Sequence, residues 1–567
     1  MSSIMSLFAR LSEKDDAFAV IPGAWDSASI RQIGDAGMPA ALLSGEDLAA
    51  SLLGERNEGV VSPSELAAAL RRVKERPSLP VIADAQSGFG NQLTAHFVVR
   101  DLIAAGADGI LINDQAFPSR SEAERTTDAG LAEFRARLRA AREACSGAGV
   151  SGSVAVIAQF DGVCLYGAKE LAARARSIVA DGLADFVIAR VHSLSEAQAL
   201  SPLVEDLAMG VRLCGATPDD AAAVRALGFR ALFAPLMLQA RVNHALTSEL
   251  SAFNANATNA EQAASATGRF PSDSPKACRM RAMFKEMCFS GNVVPMVVAP
   301  DALSARIAES VGYRAIFSAG YATSAARLAK PDRGIADFGT MVDNAREVIN
   351  AVNIPVFVDG DTGYGDEDNI ARMIHMYENL GAAGVFIEDQ VWPKRCGHMD
   401  GKSVVSAEEG VRRVAAAAAA RRHDDFLIMS RTDAYAQYGL DEAIKRTRAY
   451  HEAGADLCFI EAPQTREDME RIPKLFTDAP LMANMIESGK TPLMSDKEIH
   501  DAGYTIAVHP CGIVYTEAFA VHRLLENMRR AGGDTPEDLE RMIAFPKFNE
   551  FIGLGEVNEL EKRFAEE

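Results

Sequence analysis

The sequence predicts an α/β protein built from two tandem (β/α)8 barrels, and three observations lead to this fold. The chain has 567 residues, 48% of them hydrophobic, enough for two large single-core domains. Residues 79–91 align with residues 354–366 at an offset of 359 − 84 = 275, which also relates 110–120 to 385–395. In the second copy, short β-rich runs alternate with amphipathic helical segments, as in parallel βα units.

Eight strand candidates can be counted in the second copy, and eight strands with intervening helices close naturally as a TIM barrel. A doubly wound open sheet is the alternative, but no GxGxxG turn supports it. The candidates are 294–300, 315–320, 355–361, 384–390, 426–433, 457–463, 481–485 and 505–510. After the third candidate, the acidic run that starts at Asp366 predicts the beginning of a helix, and Gly381 predicts its C-terminal end.

The repeat and the composition also predict the domain boundaries. Residues 1–250 form the first barrel, and residues 281–567 form the second barrel with a C-terminal helical extension. Between them, residues 251–280 are rich in Ala, Asn, Ser and Thr without apolar periodicity, which indicates a linker.

Charge and cysteine usage exclude several classes of function. Lys and Arg number 58 against 78 Asp and Glu, a net charge of −20, so neither nucleic acid nor a membrane surface is expected as a partner. The eight cysteines form no CxxC pair, which argues against a zinc site or a disulfide framework and favours a reducing, cytoplasmic setting. No signal peptide or run of ~18 apolar residues is apparent.

The stretch 359–402 carries most of the candidate chemistry. Asp359 and Asp361 stand two residues apart, which would place both on one side of an extended strand, and paired hard oxygen ligands suit Mg²⁺. Further on, Cys396 is flanked by Lys394, Arg395 and His398. Such an electropositive setting is expected to lower the pKa of a thiol and let it exchange a proton near neutral pH.

Several motifs together resemble the isocitrate lyase/phosphoenolpyruvate mutase superfamily over residues 285–530. Its Cys-Gly-His loop is typical of carbon–carbon lyases and related oxaloacetate hydrolases, whereas phosphonate-forming mutases typically carry Asn-Ser-Leu there. The motifs are SAGY at 318–321, KPDRG at 330–334, DGDTGYG at 359–365, EDQVWPKRCGHMDGK at 388–402, SRTDA at 430–434, IEAP at 460–463 and ANM at 483–485.

The resemblance implies a Mg²⁺ site, with Mn²⁺ as an alternative, and a pocket for a small carboxylate. Cys396, assisted by His398, would protonate the cleaved fragment while Arg431 balances negative charge, and Tyr321 or a carboxylate would be the base. The other implied residues are Asp359, Asp361, Asp332 and Glu388 at the metal, Lys394 among the catalytic groups, and Ser318, Ala319, Gly320, Gly397, Glu461 and Asn484 around the substrate.

Alignment of the two copies predicts that the first is catalytically silent, since among the expected metal and substrate contacts it keeps a charge only at Asp84, the counterpart of Asp359. Asp389 and Asp433 have counterparts in that copy, Asp114 and Asp161, and are therefore expected to be structural. The replaced positions are Asn57 for Asp332, Gln86 for Asp361, Asn113 for Glu388, Ser119, Ser121 and Ala123 for Lys394, Cys396 and His398, Gln159 for Arg431, and Ala189 for Glu461.

These features predict a Mg²⁺-dependent carbon–carbon lyase that cleaves a 2-hydroxy dicarboxylate of the substituted malate type into an α-keto acid such as pyruvate and a carboxylic acid. 2-Methylisocitrate is a second choice, because the TEFG-type stretch and an arginine near Tyr515 expected for it are absent. Oxaloacetate hydrolysis, phosphonomutase chemistry and a non-catalytic binding or scaffold role are further alternatives. The expected assembly is a homo-oligomer or an intrachain pseudo-dimer of barrels.

Overall fold

The computed structural model describes residues 4–13, 17–54, 58–75, 79–120, 126–149, 152–163, 165–256 and 270–565. Its first half is a closed barrel of eight parallel strands in sequential order, with the last strand pairing with the first. The strands are β1 Ala19–Ala24, β2 Ala41–Leu43, β3 Val81–Asp84, β4 Gly109–Asn113, β5 Ala155–Phe160, β6 Phe186–Arg190, β7 Met209–Arg212 and β8 Ala231–Ala234. The helices are α1 Ile4–Glu13, α2 Ser27–Asp35, α3 Gly45–Leu53, α4 Pro63–Lys74, α5 Gln92–Ala104, α6 Leu131–Gly147, α7 Ala168–Ala180, α8 Leu194–Leu200, α9 Pro218–Ala226 and α10 Met237–Asn256.

The second half is another closed barrel of eight parallel strands, which confirms the predicted fold and excludes the open sheet. The strands are β9 Val294–Val298, β10 Ile316–Ser318, β11 Val356–Asp359, β12 Gly384–Glu388, β13 Leu427–Thr432, β14 Leu457–Ile460, β15 Leu481–Asn484 and β16 Ile506–His509. The helices are α11 Pro275–Cys288, α12 Ala302–Ser310, α13 Gly320–Leu328, α14 Phe338–Ala351, α15 Glu367–Leu380, α16 Ala407–Ala420, α17 Tyr435–Glu452, α18 Arg466–Leu475 and α19 Asp496–Ala502.

Helix α15 illustrates how local sequence sets the element boundaries. Asp366 caps its N-terminus by accepting a hydrogen bond from the backbone of Asp368, and the Asn369 side chain completes a capping box. Gly381 ends the helix in the left-handed conformation (φ 87°), which a residue without Cβ adopts at little cost. The start and the end of this helix lie where the sequence predicts them.

The segment between the barrels is described only in part. Helix α10 extends to Asn256, residues 257–269 lie outside the described residues, and a short 3-10 helix at Pro271–Asp273 leads into α11. Beyond the second barrel, Cys511–Glu567 form a separate compact unit. It contains α20 Gly512–Ala531, α21 Pro536–Glu540, α22 Phe545–Phe551 and α23 Leu554–Ala565.

The two barrels contact each other through equivalent elements. Helix α4 packs against α14, its counterpart at an offset of 338 − 63 = 275, and the 3-10 turn Glu58–Val60 packs against α15. The pair therefore resembles a two-fold dimer joined in one chain. Among the described helices, none has the length and apolar character that crossing a membrane requires.

Core packing under the second barrel gives a first prediction. Phe284 on α11 is fully buried, with its ring centroid 5.4 Å from that of Phe357 on β11, so Phe284→Ala should reduce the free energy of unfolding by about 3–5 kcal/mol. Phe289, at the end of the same helix, is 54% exposed. Phe289→Ala should change stability by less than about 0.5 kcal/mol. Urea unfolding of both variants tests the difference; equal losses would contradict this packing.

Candidate active site

The polar residues singled out in the second copy lie at the carboxyl ends of its strands, where a barrel builds its active site. Asp359 is the last residue of β11, and Glu388 is the last residue of β12. Asp361 does not continue an extended strand, as the two-residue spacing suggested: it lies in a turn with φ 46°. The turn still brings the two aspartates together, since the Asp361 N–H donates to Asp359 Oδ1 at 2.9 Å.

Lys394 joins these carboxylates. Its Nζ lies 2.7 Å from Asp332 Oδ1 and 2.7 Å from Asp361 Oδ1. Burial alone would lower the pKa of Lys394, but the surrounding aspartates raise it well above its usual value, so the ammonium stays charged. Burial raises the pKa of Asp361 to about 7, although Lys394 opposes this shift. The cluster is held together by one buried cation.

The implied metal can be tested against the oxygens that remain available. Asp361 Oδ1 is paired with Lys394 and Glu388 Oε2 with Arg431, whereas Glu388 Oε1 is buried without a hydrogen bond. Burial raises the pKa of Glu388 well above its usual range. Within the described part of the chain, no three carboxylate, imidazole or thiol groups form a ready-made metal cage. Hard oxygens with spare lone pairs fit Mg²⁺, which commonly takes one or two carboxylates and completes its shell with water and substrate.

The loop after β12 is tied down at several points. The Cys396 N–H donates to the Asp332 carbonyl oxygen at 3.1 Å, and the thiol residue is only 9% exposed. Its electrostatic setting differs from the prediction: burial, with Asp332 adding to the effect, raises the pKa of Cys396 to about 12. Lys394 acts in the opposite direction, but its attraction does not offset the effect of burial. The thiol is therefore protonated at neutral pH, which is the form a proton donor needs.

His398 is anchored rather than directed at the thiol. Its Nδ1 accepts a hydrogen bond from the Lys490 backbone N–H at 2.8 Å, so the ring proton is assigned to Nε2. Nε2 lies 3.1 Å from Glu461 Oε1 and donates to it. Burial would raise the pKa of Glu461, but Arg431 and His398 hold it below its usual range. Both ring nitrogens of His398 thus fasten the loop to the barrel.

Arg431 lies at the centre of a second charged group. Its guanidinium is 3.2 Å from Glu388, 3.2 Å from Glu461 and 2.9 Å from Asp433. Asn484 donates weakly to Glu461 at 3.4 Å, and its buried Oδ1 accepts no hydrogen bond. Side chains at the ends of β12 to β15 therefore form one connected group around Arg431. The Asn484 Oδ1 atom in this group is available to accept a hydrogen bond from a ligand.

The SAGY segment forms the junction of β10 and α13. The Gly320 N–H, at the start of α13, donates to Asp359 Oδ2 at 2.7 Å, so the helix N-terminus faces a carboxylate. Ser318 accepts a hydrogen bond from Asn344 at 3.0 Å. Ala319 is the N-cap residue, and Tyr321 follows Gly320 as a half-buried residue. This segment lies beside the aspartate pair.

Asp389 makes several contacts that connect neighbouring elements of the second barrel. Its carboxylate accepts hydrogen bonds from Thr432 Oγ1 at 2.7 Å and from the Asp433 N–H at 2.9 Å, and also contacts Arg446 and Tyr450. These bonds join β12 to β13. Asp433 instead accepts a hydrogen bond from Arg431 Nε and so orients the arginine side chain.

One lysine and one arginine that make buried ion pairs at the strand ends were not singled out from the sequence. Lys402 Nζ lies 2.7 Å from Asp433 Oδ1 and also donates to the Gly397 carbonyl, so it fastens the Cys-Gly-His loop to β13. Lys402 is the last residue of the motif 388–402, and its place in that motif was the sequence signal that could have identified it. Arg212, at the end of β7 in the first copy, occupies the place of Asn484 (484 − 212 = 272), and the comparison of candidate residues did not include it.

The first copy keeps the backbone framework but not the charges. Gln86 has φ 49° and donates its N–H to Asp84 Oδ1 at 3.0 Å, as Asp361 does to Asp359. Asn113 hydrogen-bonds Ser119 at 3.2 Å, where the second copy has Glu388 and Lys394. Three of the compared positions, Asn57, Ser121 and Ala123, lie outside the described residues.

Arg212 lies among the buried polar groups of this copy. Its guanidinium lies 2.8 Å from Asp84 and 2.5 Å from Glu46, and it donates to Gln159 at 2.9 Å. Arg190 also pairs with Glu46. All of these side chains are buried. The one carboxylate retained from the acidic set is thus neutralised by an arginine of the chain itself.

Comparison with known proteins places this geometry in a family. The phosphoenolpyruvate phosphomutase family profile matches residues 8–256 and again residues 284–525. 2,3-Dimethylmalate lyase of Eubacterium barkeri is 40% identical over 273 residues, which are 48% of this chain and 94% of that relative. A probable 2-methylisocitrate lyase of Corynebacterium glutamicum is 37% identical over 261 residues, 46% of this chain and 84% of the relative.

Among solved structures, oxaloacetate acetylhydrolase in complex with 3,3-difluorooxalacetate is 31% identical, with a TM-score of 0.49, covering 52% of this chain and 99% of that chain. The family profile and the curated relatives named as lyases show that the protein is an enzyme of the carbon–carbon lyase class. The chain belongs to the phosphoenolpyruvate phosphomutase family, as a tandem duplication within the isocitrate lyase/phosphoenolpyruvate mutase superfamily. The resemblance predicted from the sequence motifs is confirmed.

The charge cluster of the first barrel gives a second prediction. Burial would raise the pKa of Glu46, but Arg212 and Arg190 lower it to about 2 from an ordinary value of 4.5. Glu46 therefore contributes stability above pH 4.5 that is lost as the pH falls toward 2. Glu46→Gln leaves two buried arginines without their partner and should cost about 3–5 kcal/mol at pH 7.

Unfolding free energies measured between pH 7 and pH 3 test this account. The native protein should lose stability below pH 4.5 more steeply than Glu46→Gln. The surface variant Glu133→Gln serves as the control for loss of one carboxylate. Parallel pH profiles for the native protein and Glu46→Gln would contradict the assigned pKa shift.

Proposed function

We propose that the second barrel is a Mg²⁺-dependent lyase that cleaves a substituted malate, a 2-hydroxy dicarboxylate, into an α-keto acid such as pyruvate and a carboxylic acid. The observation that carries this proposal is the convergence of Asp359, Asp361, Lys394 and Arg431 beneath a loop that presents a protonated Cys396. Phosphonate chemistry is disfavoured because Cys396 stands where mutases of the superfamily typically have asparagine.

The metal would be held by Asp359 and Asp361, with Asp332 and Glu388 nearby, and Mn²⁺ is an alternative to Mg²⁺. Bound there, the cation would supply charge neutralisation for the substrate oxygens. The buried Glu388 Oε1, which has no hydrogen-bond partner, supports this assignment, since such carboxylate oxygens are rare unless a ligand completes them.

The reaction we propose is a retro-aldol cleavage next to the alcohol carbon. The hydroxyl loses its proton, the C–C bond breaks to give the carbonyl of the α-keto acid, and the bonding electrons remain on the carboxylic fragment as an enediolate. Arg431 stabilises the negative charge that develops, and the buried surroundings strengthen this attraction. Tyr321 or one of the buried carboxylates takes the hydroxyl proton.

Cys396 then donates a proton to the enediolate carbon. Its role fits a thiol kept neutral by burial, whereas the sequence had suggested a thiol with a lowered pKa. His398 and Lys402 position the loop in this mechanism, because each of them is bonded to the barrel wall rather than to the thiol. Gly397 brings its backbone against Glu461, and any side chain there would collide with that carboxylate.

A dicarboxylate is the proposed substrate because the chain lacks an arginine in the region of Tyr515 for a third carboxylate. Methylisocitrate remains the second candidate, since a curated relative is named for that activity. Oxaloacetate hydrolysis, phosphonomutase chemistry and a purely binding protein are the other outcomes that the substrate panel below distinguishes.

The remaining parts of the proposal concern the first copy and the surroundings of the protein. The first barrel is a non-catalytic copy, supported by the Arg212–Asp84 ion pair. The seven cysteines within the described residues form no disulfide with one another, which supports a reducing, cytoplasmic location. Exposed apolar side chains of the C-terminal unit, including Phe519 and Phe545, support a homo-oligomer in addition to the intrachain pair.

A coupled assay tests the activity. Pyruvate and glyoxylate release is measured with 2-alkylmalates, oxaloacetate and 2-methylisocitrate, with oxalate and phosphonate turnover measured separately. A substituted malate should give a kcat/KM at least about 10-fold above that of 2-methylisocitrate, the factor expected for a missing carboxylate contact of at least 1.4 kcal/mol.

Cys396→Ser should lower kcat by about 10²–10⁴-fold, as expected for loss of an acid catalyst. Cys278→Ser is the matched control; turnover independent of Cys396 would contradict the mechanism.

Metal binding has a readout that does not depend on turnover. Removal of divalent ions with EDTA should abolish activity, and Mg²⁺ added back at about 100 times its Kd should stabilise the protein by about 2.7 kcal/mol. Asp361→Asn should lose this stabilisation. Asn113→Ala, a change at the uncharged counterpart of Glu388, should retain it. A shift in unfolding temperature that survives Asp361→Asn would argue against this site.

A further inference from the structure

The first barrel reaches both loops that frame the proposed active site. Residues from the first copy contact the turn that carries Asp361 and also the loop that carries Lys394 and Cys396. The contacts come from the carboxyl ends of β3 and β4, the same edge at which the second copy has its own reactive groups. A catalytically silent copy is thus in direct contact with the active one.

The first contact fixes the turn that carries Asp361. Arg120, whose side chain is only 3% exposed, forms an ion pair with Asp366 and donates to Asn369 Oδ1 at 3.3 Å. Asn369 in turn donates to the Gly59 carbonyl at 2.8 Å. Asp366 and Asn369 form the capping box of α15, which begins six residues after Asp361. Arg120 therefore fixes the far end of the turn.

The second contact fixes the loop that carries Cys396. The Trp392 indole N–H donates to the Phe89 carbonyl at 3.0 Å, and the indole stacks on Phe117 with ring centroids 6.0 Å apart. Trp392 lies two residues before Lys394. The approach is close, because a Cβ at Gly90 would lie 3.0 Å from Trp392 Nε1 and 3.1 Å from Pro393 Cγ.

These contacts run in one direction although the barrels are related by repetition. Trp392 corresponds to Phe117 (392 − 117 = 275), and phenylalanine has no N–H to donate. Asp366 corresponds to Asn91 (366 − 91 = 275), which is uncharged and caps its own helix. The first copy therefore lacks the groups for the matching indole bond and ion pair. The second copy carries the donor and the acid, and the first copy supplies their partners.

We propose that the first barrel acts as a positioning subunit for the active site of the second, with Arg120 and the Phe89 carbonyl as its positioning groups. Arg120 fixes the turn of the metal-binding aspartates, and the Phe89 carbonyl fixes the loop of the proton donor. This inference rests on the proposed function only for which loops are catalytic. It gives the silent copy a mechanistic role at a distance from the reacting atoms.

Trp392→Phe is the sharpest test, because it removes the indole N–H while keeping an aromatic ring, and it installs the residue that the first copy has at the same place. The full-length protein with Mg²⁺ is treated with iodoacetamide, and labelling of Cys396 relative to Cys278 is read by peptide mass spectrometry. Native Cys396 is buried and should be protected. In Trp392→Phe the labelling ratio should rise at least threefold, and kcat should fall about 3- to 10-fold with KM little changed.

Arg120→Met tests the other contact, and Arg120→Lys tests rescue. Arg120→Met should lower kcat about 10-fold and weaken Mg²⁺ binding, while Arg120→Lys should recover part of both because it keeps the charge. Arg142→Met is the matched control: this arginine pairs with Asp185 at 2.8 Å wholly within the first barrel. It should leave labelling and kcat unchanged.

Each outcome decides the inference. Unchanged labelling and kcat in both Trp392→Phe and Arg120→Met would overturn it, as would equal effects of Arg142→Met, which would indicate general loss of stability. Labelling does not require turnover. If native protein turned over no substrate yet Trp392→Phe exposed Cys396, the proposed function would fail while the positioning role stood.

Discussion

The concentration of buried carboxylates at one barrel mouth is the constraint on which the second copy depends. Several acids cannot ionise together in a dry site without compensating cations. Lys394 and Arg431 supply that compensation, each placed among acids from different strands. Burial in the same site also keeps the Cys396 thiol neutral, with Asp332 adding to the effect. The order of the loop and the protonation of the thiol therefore both follow from this arrangement of buried groups, on which the proposed cation binding also rests.

The two copies solve this problem in different ways on the same backbone. In the second, Asp361 is paired with Lys394 and Glu388 with Arg431, while Glu388 Oε1 remains without a donor. In the first, Arg212 pairs with both Asp84 and Glu46. A site with fully satisfied charges gains rigidity but has nothing left to offer a ligand. The two copies thus differ both in the arginine that pairs with Asp84 and in the uncharged residues that replace Glu388, Lys394 and Arg431.

Much of the fold followed from the sequence, because strand runs, the repeat and helix caps are local or periodic signals. All eight predicted strands of the second copy are present, and Asp366 and Gly381 bound α15 as expected. The convergence of the candidate residues also followed, since carboxyl ends of parallel strands meet at one edge. Partners distant in the chain did not follow. The pKa of Cys396, the anchoring of His398 by Lys490 and the pairing of Arg120 with Asp366 depend on tertiary neighbours that no spacing reveals.

Joining the barrels in one polypeptide changes what their interface must accomplish. Separate subunits meet through a self-complementary patch, so every substitution appears on both sides of the symmetry axis. A covalent connection keeps the partner at a high effective concentration and lets the two faces diverge independently. Trp392 facing the Phe89 carbonyl, with Phe117 at the mirrored position, is an interface of this kind. Duplication followed by fusion has thus allowed a symmetric pair to become a heterodimer encoded in a single chain.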